Sequence, residues 1–154
     1  MSYDVPSRRE VYYLPSSAYG ATTASKTIKG PAGKKGTVRD IVVMLSADAV
    51  GTTTVPEVTV GASAGAVDYA RFRLGTTAIA GYAAANTPFR ARALVEQQQA
   101  WPGGATPALS DYAGHIALET AKIPADTAIV ISGKAGVGGT PAGTFEAYVH
   151  IDWD

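Results

Sequence analysis

The chain has 154 residues, no cysteine, and 13 basic and 13 acidic side chains, so its formal net charge is zero. This length fits one domain that folds without a metal or a disulfide. The missing cysteines exclude disulfide bridges, iron–sulfur clusters, cysteine-ligated zinc and thiol catalysis, and no window approaches the roughly 18 apolar residues of a membrane span.

Residues 1–36 differ in charge from the rest of the chain. They hold six Lys or Arg against two Asp or Glu, a net charge of +4, whereas residues 37–154 hold seven basic and eleven acidic residues, a net charge of −4. The first segment also contains four of the eight tyrosines. We therefore predict a basic, tyrosine-rich N-terminal arm (1–36) attached to a body (37–154). Within the arm, 10–14 (EVYYL) is either a strand of the body or a segment that lies on a partner.

The body contains short apolar or alternating segments separated by turns rich in Gly and Pro. Strands are predicted at 37–47, 55–61, 67–74, 115–120, 127–132 and 144–153. The segment 89–101 starts with alternation and continues with good helix formers, so we expect a strand that runs into a short helical turn or loop. This pattern predicts an all-β fold, an antiparallel β-sandwich of the jelly-roll type with an extended N-terminal arm.

Several segments resemble catalytic or ligand-binding motifs but depart from them. In GPAGKKGT (30–37) the glycines and lysines are in the wrong order for a phosphate loop, and a strand follows instead of a helix. GKAGVGGTPAG (133–143) lacks the third glycine of a dinucleotide fingerprint. The two histidines, His115 and His150, are not accompanied by a nucleophile elbow. We therefore predict no enzymatic activity and no cofactor.

Two polar groupings are weighed as metal sites. His115 lies four residues from both Asp111 and Glu119, so the three side chains would share one face of a helix. The sequence of this segment, however, predicts a β-strand. His150 shares one face of the last strand with two aspartates at its end, but solvated polar faces are common on sheets. We predict no metal site. The basic charges of the arm are also too sparse to indicate nucleic-acid binding.

Three stretches carry a resemblance: GPAGKKGTVRDIVV (30–43), IPADTAIVIS (123–132) and GTPAGTFEAYVHIDWD (139–154). Together they resemble small virion proteins of tailed bacteriophages, in particular the capsid decoration, or cement, proteins. The resemblance implies a β-sandwich or small barrel that binds the major capsid protein on the head surface, with a homo-oligomer and preferably a trimer. It also implies synthesis in the bacterial host cytoplasm and a final location in the virion.

The arm supplies the candidate interface residues, because tyrosine and arginine are enriched in interface cores. These candidates are Arg8, Arg9, Tyr12, Tyr13, Lys34 and Lys35. We expect deletion of 1–36 to weaken capsid binding and to leave the body folded. Two alternatives remain open: another phage structural module, such as a tail or head-fibre component, and a carbohydrate-binding sandwich that uses Trp101, Tyr82 or Tyr112 as a sugar platform.

Overall fold

The computed structural model describes residues 7–18, 24–47, 56–74, 88–92, 116–134 and 144–154. These residues form nine β-strands. The strands are β1 (Arg8–Ala18), β2 (Ala24–Lys29), β3 (Gly36–Leu45), β4 (Glu57–Gly61), β5 (Ala70–Arg73), β6 (Phe89–Arg90), β7 (Ile116–Ala117), β8 (Ala128–Lys134) and β9 (Thr144–Trp153). Within the described residues, no helix is long and apolar enough to cross a membrane.

The strands form two antiparallel sheets that pack face to face. The four-stranded sheet has the order β1-β9-β3-β6, and the five-stranded sheet has the order β2-β8-β4-β5-β7. The pairs β1–β9, β2–β8, β3–β6 and β4–β5 are nested in the chain, and successive pairs alternate between the two sheets. This arrangement is that of a jelly roll, with β7 added beside β5. The predicted all-β sandwich is confirmed.

The core lies between the sheets and follows from alternation along the strands. In β9 every second residue is buried, and these residues run from Phe145 to Trp153. They pack against the inward residues of the facing sheet, which include Val58, Phe72, Ile129 and Ile131. Because side chains alternate between faces, the same period directs Glu146, Tyr148, His150 and Asp152 outward.

The described part of the predicted arm lies within the sandwich. β1 pairs with β9 through an unbroken register from Arg8–Trp153 to Leu14–Ala147, and Leu14 is fully buried. β2 pairs with β8 along its whole length. Residues 10–14 are therefore a strand of this domain, which is one of the two interpretations of that segment. β2 was not among the predicted strands. Three consecutive residues in it, Ser25, Lys26 and Thr27, are polar and exposed, so the sequence shows no alternation of apolar and polar residues.

The other predicted strands differ from the observed ones mainly at their ends. The segment 37–47 corresponds to β3, 127–132 to β8, and 144–153 to β9. Of the ambiguous segment 89–101, the strand β6 covers its first two residues, and 93–101 lies outside the described residues. The strand predicted at 115–120 is reduced to β7, after which Glu119 adopts a positive φ of 59° and turns the chain.

Candidate interaction surface

The six predicted interface residues occupy two neighbouring places. Arg8, Arg9, Tyr12 and Tyr13 lie in β1, and Lys34 and Lys35 lie in the turn between β2 and β3. The end of β9 separates the two places, because Arg8 and Gly36 both pair with Trp153 from opposite sides. Lys35 and Asp154 also exchange two backbone hydrogen bonds of 2.9 Å each. The structure thus brings the cationic candidates to one end of the four-stranded sheet.

Tyr12 is turned towards the interior and holds the end of β9. Its ring meets the ring of Trp153 edge to face, with 6.5 Å between centroids, and Trp153 Nε1 donates a hydrogen bond of 3.2 Å to the Tyr12 hydroxyl. The hydroxyl in turn donates to the Glu10 carboxylate. Burial, with the Glu10 hydrogen bond adding to it, raises the pKa of Tyr12 to about 12. Tyr12 is therefore partly buried and packs against the core of the sandwich.

Trp153 lies flat against the backbone at Gly30 and Gly36. A Cβ atom at Gly36 would stand 2.6 Å from Cζ3 of the indole, and one at Gly30 would overlap the same ring. Ile123 and Gly36 exchange backbone hydrogen bonds of 2.8 and 3.0 Å beside this ring. The glycines of the 30–36 turn are therefore needed so that Trp153 can seal this end of the core.

The opposite surface of the four-stranded sheet carries an apolar patch, which we define as Val11, Tyr13, Val42, Met44 and Tyr148. Tyr13, Tyr148 and Val42 are in register across three strands, and the two tyrosine rings lie 5.1 Å apart. Val11 is 52% exposed, Tyr13 38% and Met44 43%. Three of the four exposed large apolar side chains of the described residues thus lie on one sheet face, while the fourth, Val67, lies elsewhere.

Beside the apolar patch lies a charged chain of five side chains, which we call the arginine chain. Asp152 receives Arg9 Nε at 2.6 Å and Nη2 at 3.0 Å, and Arg39 Nε at 3.0 Å. Arg39 Nη1 also contacts Glu119 at 2.9 Å, and Arg92 pairs with the same carboxylate. The hydrogen bond from Arg9 lowers the pKa of Asp152, and the one from Arg39 lowers the pKa of Glu119, because each stabilises the ionised carboxylate.

Asp40 anchors β6 to β3 next to the arginine chain. Its carboxylate is buried and receives Arg90 through Nε at 3.1 Å and Nη2 at 2.8 Å on one oxygen. The other oxygen accepts the backbone N–H groups of Ile41 and Arg92 at 2.9 and 3.0 Å. Because every contact is charge-assisted, the carboxylate is satisfied and holds both arginines in place.

The five-stranded sheet has its own charged cluster on its outer side. Glu57 is largely buried and lies 3.2 Å from Arg71 Nε, 3.4 Å from Arg73 Nε and 3.4 Å from Lys134 Nζ. One carboxylate is thus surrounded by three cations. Gly65 of the β4–β5 connection donates its N–H to Ser132 Oγ at 3.0 Å and so places this loop over the cluster.

The two aspartates at the end of β9 that were weighed as metal ligands each pair with a cation. Asp152 belongs to the arginine chain, and Asp154 pairs with Lys122 at 2.6 Å. His150 lies between Val11 and Asp40 in the sheet register. Among the described residues, no three His, Asp or Glu side chains are grouped in a way that would hold a metal. Asp111 and His115, like the three aromatic residues considered as a sugar platform, lie outside the described residues.

The outward orientation of the partly buried Val42 and the exposed Met44 was not predicted, because a β-bulge interrupts the alternation of β3. β3 is in register with β9 up to Val38 and again from Asp40, with one extra residue, Arg39, between them. The bulge shifts the phase of the strand by one residue, so Arg39 and Asp40 both serve the outer surface. The sequence does carry a signal in β1, where Arg9, Val11 and Tyr13 occupy every second position and are therefore expected to share one face of the strand.

Comparison of the chain with models of protein families, with curated proteins and with solved structures found no match.

Proposed function

We propose that this protein is a virion structural protein, a capsid decoration protein that binds the outer surface of a tailed-phage head and stabilises it. Its partner is the major capsid protein, and its place is the capsid surface after synthesis in the bacterial host cytoplasm. The preference for a trimer, which the resemblance implies, stays a prediction.

The observation that supports the proposal is the convergence of the three resembling stretches. Gly36 pairs with Trp153 and exchanges two hydrogen bonds with Ile123, so the described parts of all three stretches meet at one end of the sandwich. Asp126 joins them by accepting the Gly33 N–H at 3.1 Å. Residues that are far apart in the chain thus form one packed unit, as a shared fold would require.

The outer surface of the four-stranded sheet is the part we assign to capsid contact. It combines the exposed side chains of the apolar patch with arginines at its border, and tyrosine, methionine and arginine are enriched in protein interfaces. A sheet face is broad and shallow, which suits a partner surface better than a small ligand. Jelly rolls recur in viral capsid proteins and in lectins, so the fold alone supports this class by analogy.

Binding to capsids tests the proposal directly. Purified protein is mixed with expanded capsids that lack it, from the phage that encodes it, and the capsids are sedimented. We expect saturable binding with a fixed number of copies per capsid, and a higher temperature for capsid disruption. If the protein stays in the supernatant at every concentration, the proposal is wrong. Incorporation into tails or retention on a glycan column would then favour one of the two alternatives.

The cationic candidates can be tested in the same assay. Alanine at Arg8, Lys34 and Lys35 removes charge without touching the core, because these side chains lie at the surface or partly so. We expect the variant to bind capsids more weakly than the wild-type protein. Lowering the salt concentration should restore little of this binding, since the lost charges no longer attract an acidic surface. Unchanged binding would remove these residues from the interface and would leave the apolar patch as the assigned contact.

A further inference from the structure

The free edge of β1 carries backbone groups that the assigned function does not use, although the side chains of Val11 and Tyr13 belong to the apolar patch. β1 is the outermost strand of its sheet, and its register with β9 is unbroken over Arg8–Leu14 until an irregularity before Ser17. An exposed edge strand presents unpaired N–H and C=O groups that can pair with another strand. The question is which residues of β1 present these groups.

The hydrogen bonds at the end of β9 answer this question. Lys35 and Asp154 exchange both backbone bonds, so Asp154 faces β3, and successive residues of β9 then face β1 and β3 in turn. Trp153, Ile151, Val149 and Ala147 therefore bond towards β1. The Thr144 carbonyl accepts the Ser46 N–H at 2.8 Å, next to the end of β3. Thr144 therefore bonds towards β3, as the alternation along β9 requires.

It follows that the backbone groups of Arg9, Val11 and Tyr13 point away from β9. Their partners in the register are Asp152, His150 and Tyr148, which face β3. One side chain among the described residues reaches this edge: Lys26 Nζ donates to the Tyr13 carbonyl at 2.9 Å, a contact that places this carbonyl on the free side. A carbonyl oxygen has two lone pairs and can still accept a second hydrogen bond.

We propose that two copies of this chain pair through this edge, with antiparallel β1 strands and a two-fold axis at Val11. Val11 then lies opposite Val11 of the second copy, and Arg9 lies opposite Tyr13 of the second copy. The guanidinium and the phenol ring face each other on the outer surface, a favourable cation–π pair that occurs twice. The exposed Val11 side chains cover each other. The two four-stranded sheets become one continuous sheet. This dimer takes the place of the trimer that the resemblance implies.

The sequence of β1 selects this register over its neighbours. Centring the pair on Arg9 or Glu10 would place like charges directly opposite each other, which destabilises cross-strand pairs. A shift in the other direction brings Pro15, which has no N–H, into the ladder. Pro15 also ends the pairing. Because a two-fold contact uses the same edge of both copies, it closes as a dimer and does not extend into a fibre.

Cysteine cross-linking tests this register, and the chain suits it because it has no cysteine of its own. Opposed residues of a hydrogen-bonded antiparallel pair have Cα atoms about 5.5 Å apart, within the range of a disulfide. Val11→Cys should therefore give a disulfide-linked dimer after mild oxidation. Tyr13→Cys is the matched control, because its counterpart would lie four residues away, about 13 Å along the strand. We expect at least about tenfold more dimer from Val11→Cys.

Proline at position 11 supplies an independent test. Val11→Pro removes an N–H that faces away from β9, so β1 keeps its bonds to β9 while the dimer loses a central bond from each copy. We expect dimerisation, measured by sedimentation equilibrium, to weaken about tenfold or more, with Val11→Thr close to wild type. Circular dichroism shows whether the Val11→Pro variant is folded. If it is not folded, the comparison of Val11→Cys with Tyr13→Cys still tests the proposal.

Equal cross-linking of the two cysteine variants would overturn the proposal, as would a wild-type protein that sediments as a monomer or a trimer at all concentrations. These measurements use purified protein without capsids. Their failure is therefore distinct from failure of the proposed decoration function.

Discussion

Trp153 and the glycines beneath it show how single residues determine this end of the molecule. The indole covers Gly30 and Gly36, donates to Tyr12 and is almost fully buried. An added methyl group at Gly36 has nowhere to go, because the ring is held from the other side by Tyr12. The glycine and the tryptophan should therefore behave as one energetic unit.

We expect Gly36→Ala to lower the free energy of unfolding by about 2 kcal/mol, the usual cost of overpacking a core. In a Trp153→Leu background, where the ring is absent, the same substitution should cost markedly less. Urea denaturation of the four proteins in this cycle measures both values. An equal cost of Gly36→Ala in both backgrounds would show that the contact with the ring is not its cause.

The arginine chain predicts how stability depends on pH. The pKa of Asp152 and the pKa of Glu119 are lowered in the folded protein, so both groups bind protons less readily folded than unfolded. Their contribution to stability is therefore complete above the ordinary carboxyl pKa of about 4 and is lost as pH falls towards the lower folded values.

We expect Asp152→Asn to be less stable than wild type at neutral pH and to lose less stability between about pH 6 and pH 3. Denaturation midpoints at several pH values measure this difference. Arg9→Gln and Arg39→Gln, which remove the partners of Asp152 and keep the carboxyl group, should flatten the profile in the same direction. A profile parallel to that of wild type in all three variants would contradict the assignment.

At the scale of elements, β1 is part of the fold and not an appendage. It covers one edge of β9 and contributes Leu14 and Tyr12 to the interior. The expectation that the body folds without residues 1–36 therefore needs revision. Truncation would remove β2 as well, and with it one edge of the other sheet.

We expect deletion of residues 1–18 to abolish the cooperative unfolding transition, because it exposes the β9 edge and uncovers the core around Trp153. Loss of the buried Leu14 side chain alone is worth about 3 kcal/mol. The matched control is deletion of residues 1–6, which precede β1 and should leave the transition in place. Near-ultraviolet circular dichroism during thermal unfolding distinguishes the two outcomes, and a cooperative transition after the longer deletion would show that the body is independent.

The fold was predictable where one strand face is buried and the other is solvated. β9 alternates without interruption, and its bounds follow from the sequence. β2 was missed because its consecutive polar residues conceal the buried Ile28, and the outer residues of β3 were missed because of the bulge at Arg39. The arginine chain could not be predicted from the sequence, since its five side chains come from five separate segments that only the topology brings together.

At the scale of the whole molecule, the two sheets present different outer surfaces. The four-stranded sheet exposes the apolar patch, whereas the outer side of the five-stranded sheet carries the cations around Glu57 under the β4–β5 connection. This asymmetry suits the proposed attachment to a capsid, in which one side of the protein contacts the partner.

This asymmetry predicts different results for two similar substitutions. Met44→Asp places a charge in the apolar patch and should weaken capsid binding at least about tenfold, because an unpaired carboxylate is costly to bury in a contact. Val67→Asp is the matched control, because Val67 is 39% exposed, close to the 43% of Met44, and lies in the β4–β5 connection. Co-sedimentation with capsids measures both. An equal effect of the two substitutions would contradict the assigned orientation.

The position of β9 also has a consequence for how the protein is made. β9 lies between β1 and β3, although it is the last strand in the chain. A nascent chain that has left the ribosome up to β8 can pair β2 with β8, β3 with β6 and β4 with β5. The edges of β1 and β3 that face β9 must wait with unpaired backbone groups. Such long-range pairing is slow and leaves strand edges open to association during synthesis. Association through these strands is therefore most favoured before β9 has been translated and has paired with them.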